Sequence, residues 1–244
     1  MLPFTYHPAP DLGVSPLKRL ARFPRQPDLL AYALRAAGAV VLRAALSTYC
    51  RLRIVGRQQL PEVGPFVLAC NHTSHLDALC LLSALPLGRI HRAYPAAAAD
   101  YFFSSLYTGA LSGLFLNALP FHRKTHVRQT LELLRNLIAD ASAGQDHVLI
   151  VFPEGTRSPD GRLQPFRPGI GDLVAGTPVP VLPCHLAGGD KLWPRNRAFP
   201  RPGKLTLTIG EPRTYVDRPR TREAAYEIAQ ELEDAVRELG NPLE

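Results

Sequence analysis

PFVLACNHTSHLDALCLLSAL, residues 65–85, changes period partway along its length. PFVLAC (65–70) is short, apolar and partly β-branched and reads as a buried strand, whereas ALCLLSAL (78–85) has no Gly, Pro or charge and reads as a buried helix. Between them, NHTSHLD (71–77) places two histidines and an aspartate at a strand-to-helix junction. Such junctions carry working residues in α/β proteins, and they also carry ordinary helix caps.

The alternation continues on both sides. RLRIVG (51–56) reads as a strand, and RIHRAY (89–94) as a possible one. HVRQTLELLRNLIADASAG (126–144) sets Leu131, Leu134, Ile138 and Ala141 at helical spacing and stops at Gly144. HVLIVF (147–152) is a buried strand, and KLTLTIG (204–210) alternates cleanly as another. PVPVLPCHLA (178–187) is proline-rich for a strand, which places it at an edge or wall of the sheet. A last helix is expected over 221–239, capped by Thr221, with Ala225, Ile228, Leu232, Val236 and Leu239 as its apolar stripe and Gly240 as its stop. This interleaving, without a repeat, predicts an α/β fold: a single-domain mixed sheet flanked by helices.

Residues 1–49 read as an appendage to a domain over 50–244. PLKRLARFPRQP carries Lys18, Arg19, Arg22 and Arg25, and DLLAYALRAAGAVVLRAALSTY (28–49) is helical. Arg35 and Arg43 keep its uncharged runs below the ~20 residues of a bilayer span. At 100° per residue, Arg35, Arg43 and Ser47 fall on one side, and Leu30, Leu34, Ala37 and Val41 on the other. It reads either as a helix packed on the domain or as an amphipathic membrane-associating helix, apolar side among acyl chains and arginines at phosphates. The basic stretch before it favours the membrane. YFFSSLYTGALSGLFLNALPF (101–121) is uncharged and long enough to span, yet it contains Ser104, Ser105, Thr108, Ser112, Asn117 and Pro120. A span there would also separate the polar clusters on either side of it, so it reads as a buried or half-inserted wall.

Composition narrows the partners. At 244 residues, with 46% hydrophobic and 20% charged residues, the chain can bury a core and is not of the disordered class. Its net charge of +7 suits an anionic surface. Nucleic-acid binding would need basic residues interleaved with exposed aromatics. The aromatics cluster instead in the uncharged 101–121 run, so an anionic membrane surface is the expected partner and nucleic acid is not. Cys50, Cys70, Cys80 and Cys184 have no CxxC spacing and sit in or beside apolar segments, as buried free thiols would. No charged n-region leads into an apolar h-region at the start.

Two clusters carry chemistry. His72 and Asp77 are close enough in sequence for the carboxylate to fold back on the imidazole, fixing its tautomer and leaving Nε2 to take a proton from a hydroxyl. The same spacing also suits a cap beside a core histidine. VFPEGTRS (151–158) again follows a buried strand and supplies Glu154, Gly155, Thr156 and Arg157. Gly155 permits close backbone approach, and Arg157 offers a fork suited to phosphate; a surface turn with a Glu–Arg pair has the same sequence. PFHRKTH (120–126) adds Arg123 and Lys124 at another apolar-to-polar boundary.

In order and spacing, these blocks resemble the glycerolipid acyltransferases of the 1-acylglycerol-3-phosphate acyltransferase type. NHTSHLD is similar to that family's first block and FPEGTRS to its third. PVLP (180–183) with Gly188 is similar to its fourth, and FRPG (166–169) fits the stretch after the third. The resemblance covers roughly 50–215. It implies His72 as general base and Asp77 as its orienting partner. It implies Glu154, Gly155, Thr156, Arg157 and Arg123 around the acceptor's phosphate and glycerol, and Pro183 in an acyl-binding wall. The implied co-substrates are a lysolipid acceptor and an acyl-CoA or acyl-carrier-protein thioester donor, attacked directly, with no cofactor and no metal. The implied place is the cytoplasmic face of a membrane, peripheral or monotopic. Backbone amides at the start of the helix after His72 would be the oxyanion donors. The second block departs from the family pattern: Asn117 and Pro120 stand where a glycine and a phenylalanine are usual ahead of the arginine. Other lysophospholipids or lyso-aminolipids therefore stay open as acceptors.

Other classes fit less well. A metal hydrolase could use His72, His75, Asp77 and Glu154, but the histidines lack the i, i+4 placement of a helical zinc pair. No GxSxG occurs for a serine hydrolase. GIGDLVAG (169–176) lacks the spacing of a nucleotide loop. A non-catalytic lipid-binding protein would account for the basic N-terminus and the apolar wall, but not for His72 beside Asp77.

Overall fold

The computed structural model describes residues 29–98, 117, 119–121, 132, 134–136, 146–194, 197 and 199–241. Its strands are β1 (Leu52–Val55), β2 (Phe66–Cys70), β3 (Ala93–Ala98), β4 (Leu119–Phe121), β5 (Val148–Val151), β6 (Val181–Ala187) and β7 (Leu205–Ile209). They form one sheet in the order β1-β7-β6-β2-β5-β3-β4, parallel throughout except between β6 and β7. The helices are α1 (Leu29–Thr48), α2 (Asp77–Ala84), α3 (Gly169–Val174), α4 (Gly189–Leu192) and α5 (Arg222–Gly240). This is the mixed, helix-flanked sheet expected from the sequence.

Every residue of β2 is buried, because β2 is flanked by β5 and β6 and covered on both faces. Phe66, Leu68 and Cys70 pack on one face with Leu81, Leu85 and Leu46 from the α1/α2 layer. Val67 and Ala69 face the other layer, with Leu173 from α3 and Ile228 and Leu232 from α5. Strands buried on two sides read as continuous apolar runs, which is why PFVLAC shows no alternation. Gly171 is where α3 meets α5: a Cβ there would lie 2.2 Å from the Ala225 carbonyl oxygen. GIGDLVAG is thus mostly a helix with a close crossing. Thr221 caps α5 as expected, its side chain accepting from the Ala224 N–H at 3.2 Å.

Three expectations need correction. RIHRAY is not a strand from its start: Leu87–Arg92 is a 3₁₀ helix and β3 begins at Ala93. Arg89 holds that turn, donating to the carbonyls of Pro61 and Gly64 at 2.7 Å each. The proline-rich segment is central rather than an edge, since β6 pairs with β2 on one side and β7 on the other. Pro183 is tolerated there because of its position. Its carbonyl accepts from Gly210 N at 2.8 Å, just past the end of β7, so the missing N–H falls where that ladder is already ending.

The third correction concerns α1. Its arginines turn toward the protein: Arg35 is buried, and Arg43 donates to the Leu85 carbonyl at the end of α2. A guanidinium is well placed at a helix C-terminus, where carbonyls lack intrahelical donors. Leu30, Leu34 and Val41 are exposed on the outward side. The helix is long and apolar enough to cross a membrane by length and composition. Of the 126–144 helix, Glu132 and Leu134–Asn136 are helical, and Leu134 is buried. Residues 1–28, most of 101–121 and Arg123 lie outside the described residues.

Candidate active site

β2 and β5 are adjacent parallel strands, so the loops leaving their C-terminal ends lie side by side. One is NHTSHLD and the other FPEGTRS. His72 Nδ1 lies 2.8 Å from Asp77 Oδ2. The same oxygen accepts from the backbone N–H groups of Thr73 at 2.7 Å and Ser74 at 2.9 Å. Asp77 is fully buried in the first turn of α2, so its carboxylate fixes both the loop and the imidazole. Phe152 stacks on the ring at 4.1 Å between centroids. No protein group hydrogen-bonds Nε2 among the described residues, and the side chain is 17% exposed. The pair thus presents one nitrogen to a substrate and ties down the other.

Glu154 and His72 meet across the two loops. Glu154 Oε1 accepts from the His72 N–H at 2.8 Å, and the Ser158 N–H donates to the His72 carbonyl at 2.7 Å. The backbone of His72 is therefore clamped by the FPEGTRS loop at both its polar groups. Glu154 is only 3% exposed, which turns it inward rather than toward an open cleft. Burial, with Asp77 and Glu233 nearby, pushes its carboxyl up to about 7 against hydrogen bonds that act the other way.

Of the next three residues of the loop, Thr156 faces outward and Gly155 and Arg157 are half-buried. Gly155 has φ 76°, a left-handed conformation that glycine adopts without strain. The Arg167 side chain lies against it, with Nε 2.8 Å from where a Cβ would stand. Thr156 is exposed. Arg157 is half-buried, with Nη1 within 2.8 Å of His75 Nδ1, and the His75 ring tilts on Trp193 at 5.1 Å. His72, Asp77, Glu154, Gly155 and Arg157 thus converge, and Thr156 is carried on the same loop. Pro183 does not join them. It shares a side of β6 with Val181, which packs in the α3/α5 layer, and its ring crowds Gly210 with Leu239 of α5. Arg167, Phe152 and Trp193 are neighbours of the site that residue types alone did not single out; FRPG was the only signal for Arg167.

The backbone amides of the loop between β2 and α2 are engaged within the protein. The amides of residues 72 to 76 donate in turn to Glu154, Asp77, Asp77, the Trp193 carbonyl and the Ser74 hydroxyl. The loop ahead of α2 is thus organised to hold Asp77 and His72 in place.

The acyltransferase family profile matches residues 51–187, more than half of the chain, and the chain belongs to that family. Among curated relatives, a 1-acyl-sn-glycerol-3-phosphate acyltransferase of Brassica napus chloroplasts is 30% identical over 203 residues, covering 82% of this chain and 54% of the relative. The alpha enzyme of that name from Mus musculus is 27% identical over 165 residues, covering 66% and 54%. The one from Cocos nucifera is 28% identical over 149 residues, covering 60% and 45%. The chain therefore matches about half the length of these relatives. The crystal structure of the 1-acyl-sn-glycerophosphate acyltransferase PlsC from Thermotoga maritima has the same fold, with a TM-score of 0.64 at 24% identity, covering 93% of this chain and 88% of that one.

Proposed function

We propose that this chain is a peripheral membrane O-acyltransferase that moves a fatty acyl group from an acyl-CoA or acyl-carrier-protein thioester to a lysolipid hydroxyl. The favoured acceptor is 1-acylglycerol-3-phosphate, giving phosphatidate. The observation that carries the reading is His72 held by Asp77 at 2.8 Å with Nε2 left to the substrate, beside a loop bearing Arg157. Nε2 takes the proton of the acceptor hydroxyl as its oxygen attacks the thioester carbonyl carbon. The tetrahedral intermediate collapses by breaking the C–S bond, and the proton passes from His72 to the leaving thiolate. A base positioned in this way contributes roughly 10²–10⁴ in rate. Arg157, and Arg123 from the second block, would meet the acceptor's phosphate. The relatives' names support the choice of acceptor.

A second reading, transfer to another lysophospholipid or a lyso-aminolipid, rests on the second block. Asn117 is buried with φ 50°, and its Nδ2 donates to the carbonyls of His91 at 3.0 Å and Ala93 at 3.1 Å. It ties this segment to the start of β3, in a role that glycine, the usual family residue, could not fill. The membrane part of the reading is supported by the outward leucines and valines of α1; the cytoplasmic side is the one on which acyl thioesters are expected.

The test is thiol release from long-chain acyl-CoA with 1-acylglycerol-3-phosphate and a panel of other lysolipids. Acceptor-dependent release that is lost in His72→Ala is expected, and the best acceptor decides between the two readings. Absence of release with every acceptor and with both acyl-CoA and acyl-carrier-protein donors, while lipid binding persists in His72→Ala, would replace the enzyme with a lipid-binding protein.

A further inference from the structure

The stretch from Leu29 to Pro61 contains no Asp or Glu, and neither does the stretch from Lys191 to Gly210. They are far apart in sequence and joined in space. Tyr49, at the end of α1, donates its hydroxyl to the Pro200 carbonyl at 3.2 Å, and its own carbonyl accepts from Gly203 N at 3.3 Å. Leu205 N donates to the Cys50 carbonyl at 3.1 Å. The two acid-free stretches thus meet where α1 ends and the loop that precedes β7 runs. On this loop Phe199 is 79% exposed, and Leu30 and Val41 on the outward side of α1 are exposed to a lesser degree. Arg197, Arg201 and Lys204 of the same loop, and Arg51 where that loop meets the end of α1, are exposed, and none pairs with a carboxylate among the described residues. The same loop reaches the site: Trp193 Nε1 donates to the Arg197 carbonyl at 2.9 Å, and the Trp193 ring packs on His75.

We propose that the loop around Phe199, with Arg197, Arg201 and Lys204, is a second membrane contact continuous with α1, which seats the rim of the His72 site on an anionic bilayer. This inference rests on the membrane-acyltransferase reading above. An exposed aromatic ring on a loop whose exposed cations have no carboxylate partner among the described residues suits the headgroup layer, where the ring leaves water and each cation is drawn to anionic lipid. A water-soluble acidic partner would engage the cations but leave Phe199 and the outward face of α1 uncovered.

The experiment is cosedimentation of the full chain with vesicles of pure phosphatidylcholine and of equimolar phosphatidylcholine and phosphatidylglycerol. Arg197→Glu combined with Arg201→Glu should lower partition onto the anionic vesicles at least about tenfold and leave partition onto the neutral ones unchanged. Phe199→Ser should lower both several-fold, and it carries the test alone if the double variant melts earlier than wild type. Wild type that sediments with neither vesicle overturns the membrane reading itself. Wild type that sediments while the loop variants sediment equally well overturns only the loop. Unchanged vesicle binding with lost binding to an acidic acyl-carrier protein reassigns the loop to the donor.

Discussion

Glu154 is the residue whose place in the structure departs most from its place in the sequence pattern. The pattern sets it beside the acceptor, whereas the structure buries it under His72 and gives its oxygen to the His72 N–H. If it positions the base, Glu154→Ala lowers kcat with little change in the acceptor's KM, and Glu154→Gln, which keeps an acceptor oxygen, recovers much of the loss. Contact with the acceptor would instead raise KM in both variants, as steady-state kinetics would show. Its pKa gives a second prediction. With the folded-state value raised from 4.5 to about 7, the folded protein holds this proton more tightly than the unfolded chain. Stability therefore falls as pH rises from about 4.5 through about 7. Melting temperature followed across that range should decline in wild type, and Glu154→Gln should flatten this part of the decline. Asp77→Asn should cost roughly 10²–10⁴ in kcat, the range for a positioned base, because an amide cannot hold the imidazole in the same state.

At the scale of elements, the crossing of α3 on α5 sets two effects against each other. Gly171→Ala gains up to about 1 kcal/mol in helix propensity. It also drives a methyl to 2.2 Å from a backbone oxygen of α5, which cannot swing aside as a side-chain tip could. Overpacking of this kind costs about 1–3 kcal/mol, occasionally more, so net destabilisation is expected, read as a lower urea midpoint. Periodicity and capping made most elements legible: PFVLAC, HVLIVF, KLTLTIG and the final helix all stand where the sequence puts them, within a residue or two. Two elements depart from rules true on average. Proline ordinarily excludes a central strand, but β6 places Pro183 where its ladder with β7 is ending. Arginines on an apolar helix suit either phosphate or a packed helix, and the Leu85 carbonyl at the end of α2 gives Arg43 its partner inside the protein. The pairing of His72 with Asp77 was legible from their spacing. The clamp by Glu154 and Ser158 was not, because it depends on β2 and β5 being neighbours, which no local pattern encodes.

For the molecule as a whole, the outward face of α1 is the feature with the widest consequence for handling. Leu34→Glu and Val41→Glu lie on the exposed side, so they should leave thermal stability nearly unchanged while reducing vesicle binding and detergent requirement. The same substitutions on the inward face, at Leu46, should instead unfold the α1/α2 layer. All four cysteines are buried, and burial raises the pKa of every one. A chromogenic thiol reagent added to the native protein should therefore find almost nothing to react with, then count four groups once the chain is unfolded in denaturant. The protein itself is a silent background against which coenzyme A released from an added acyl-CoA donor would be counted, and its own thiols become a clock for how often the fold opens.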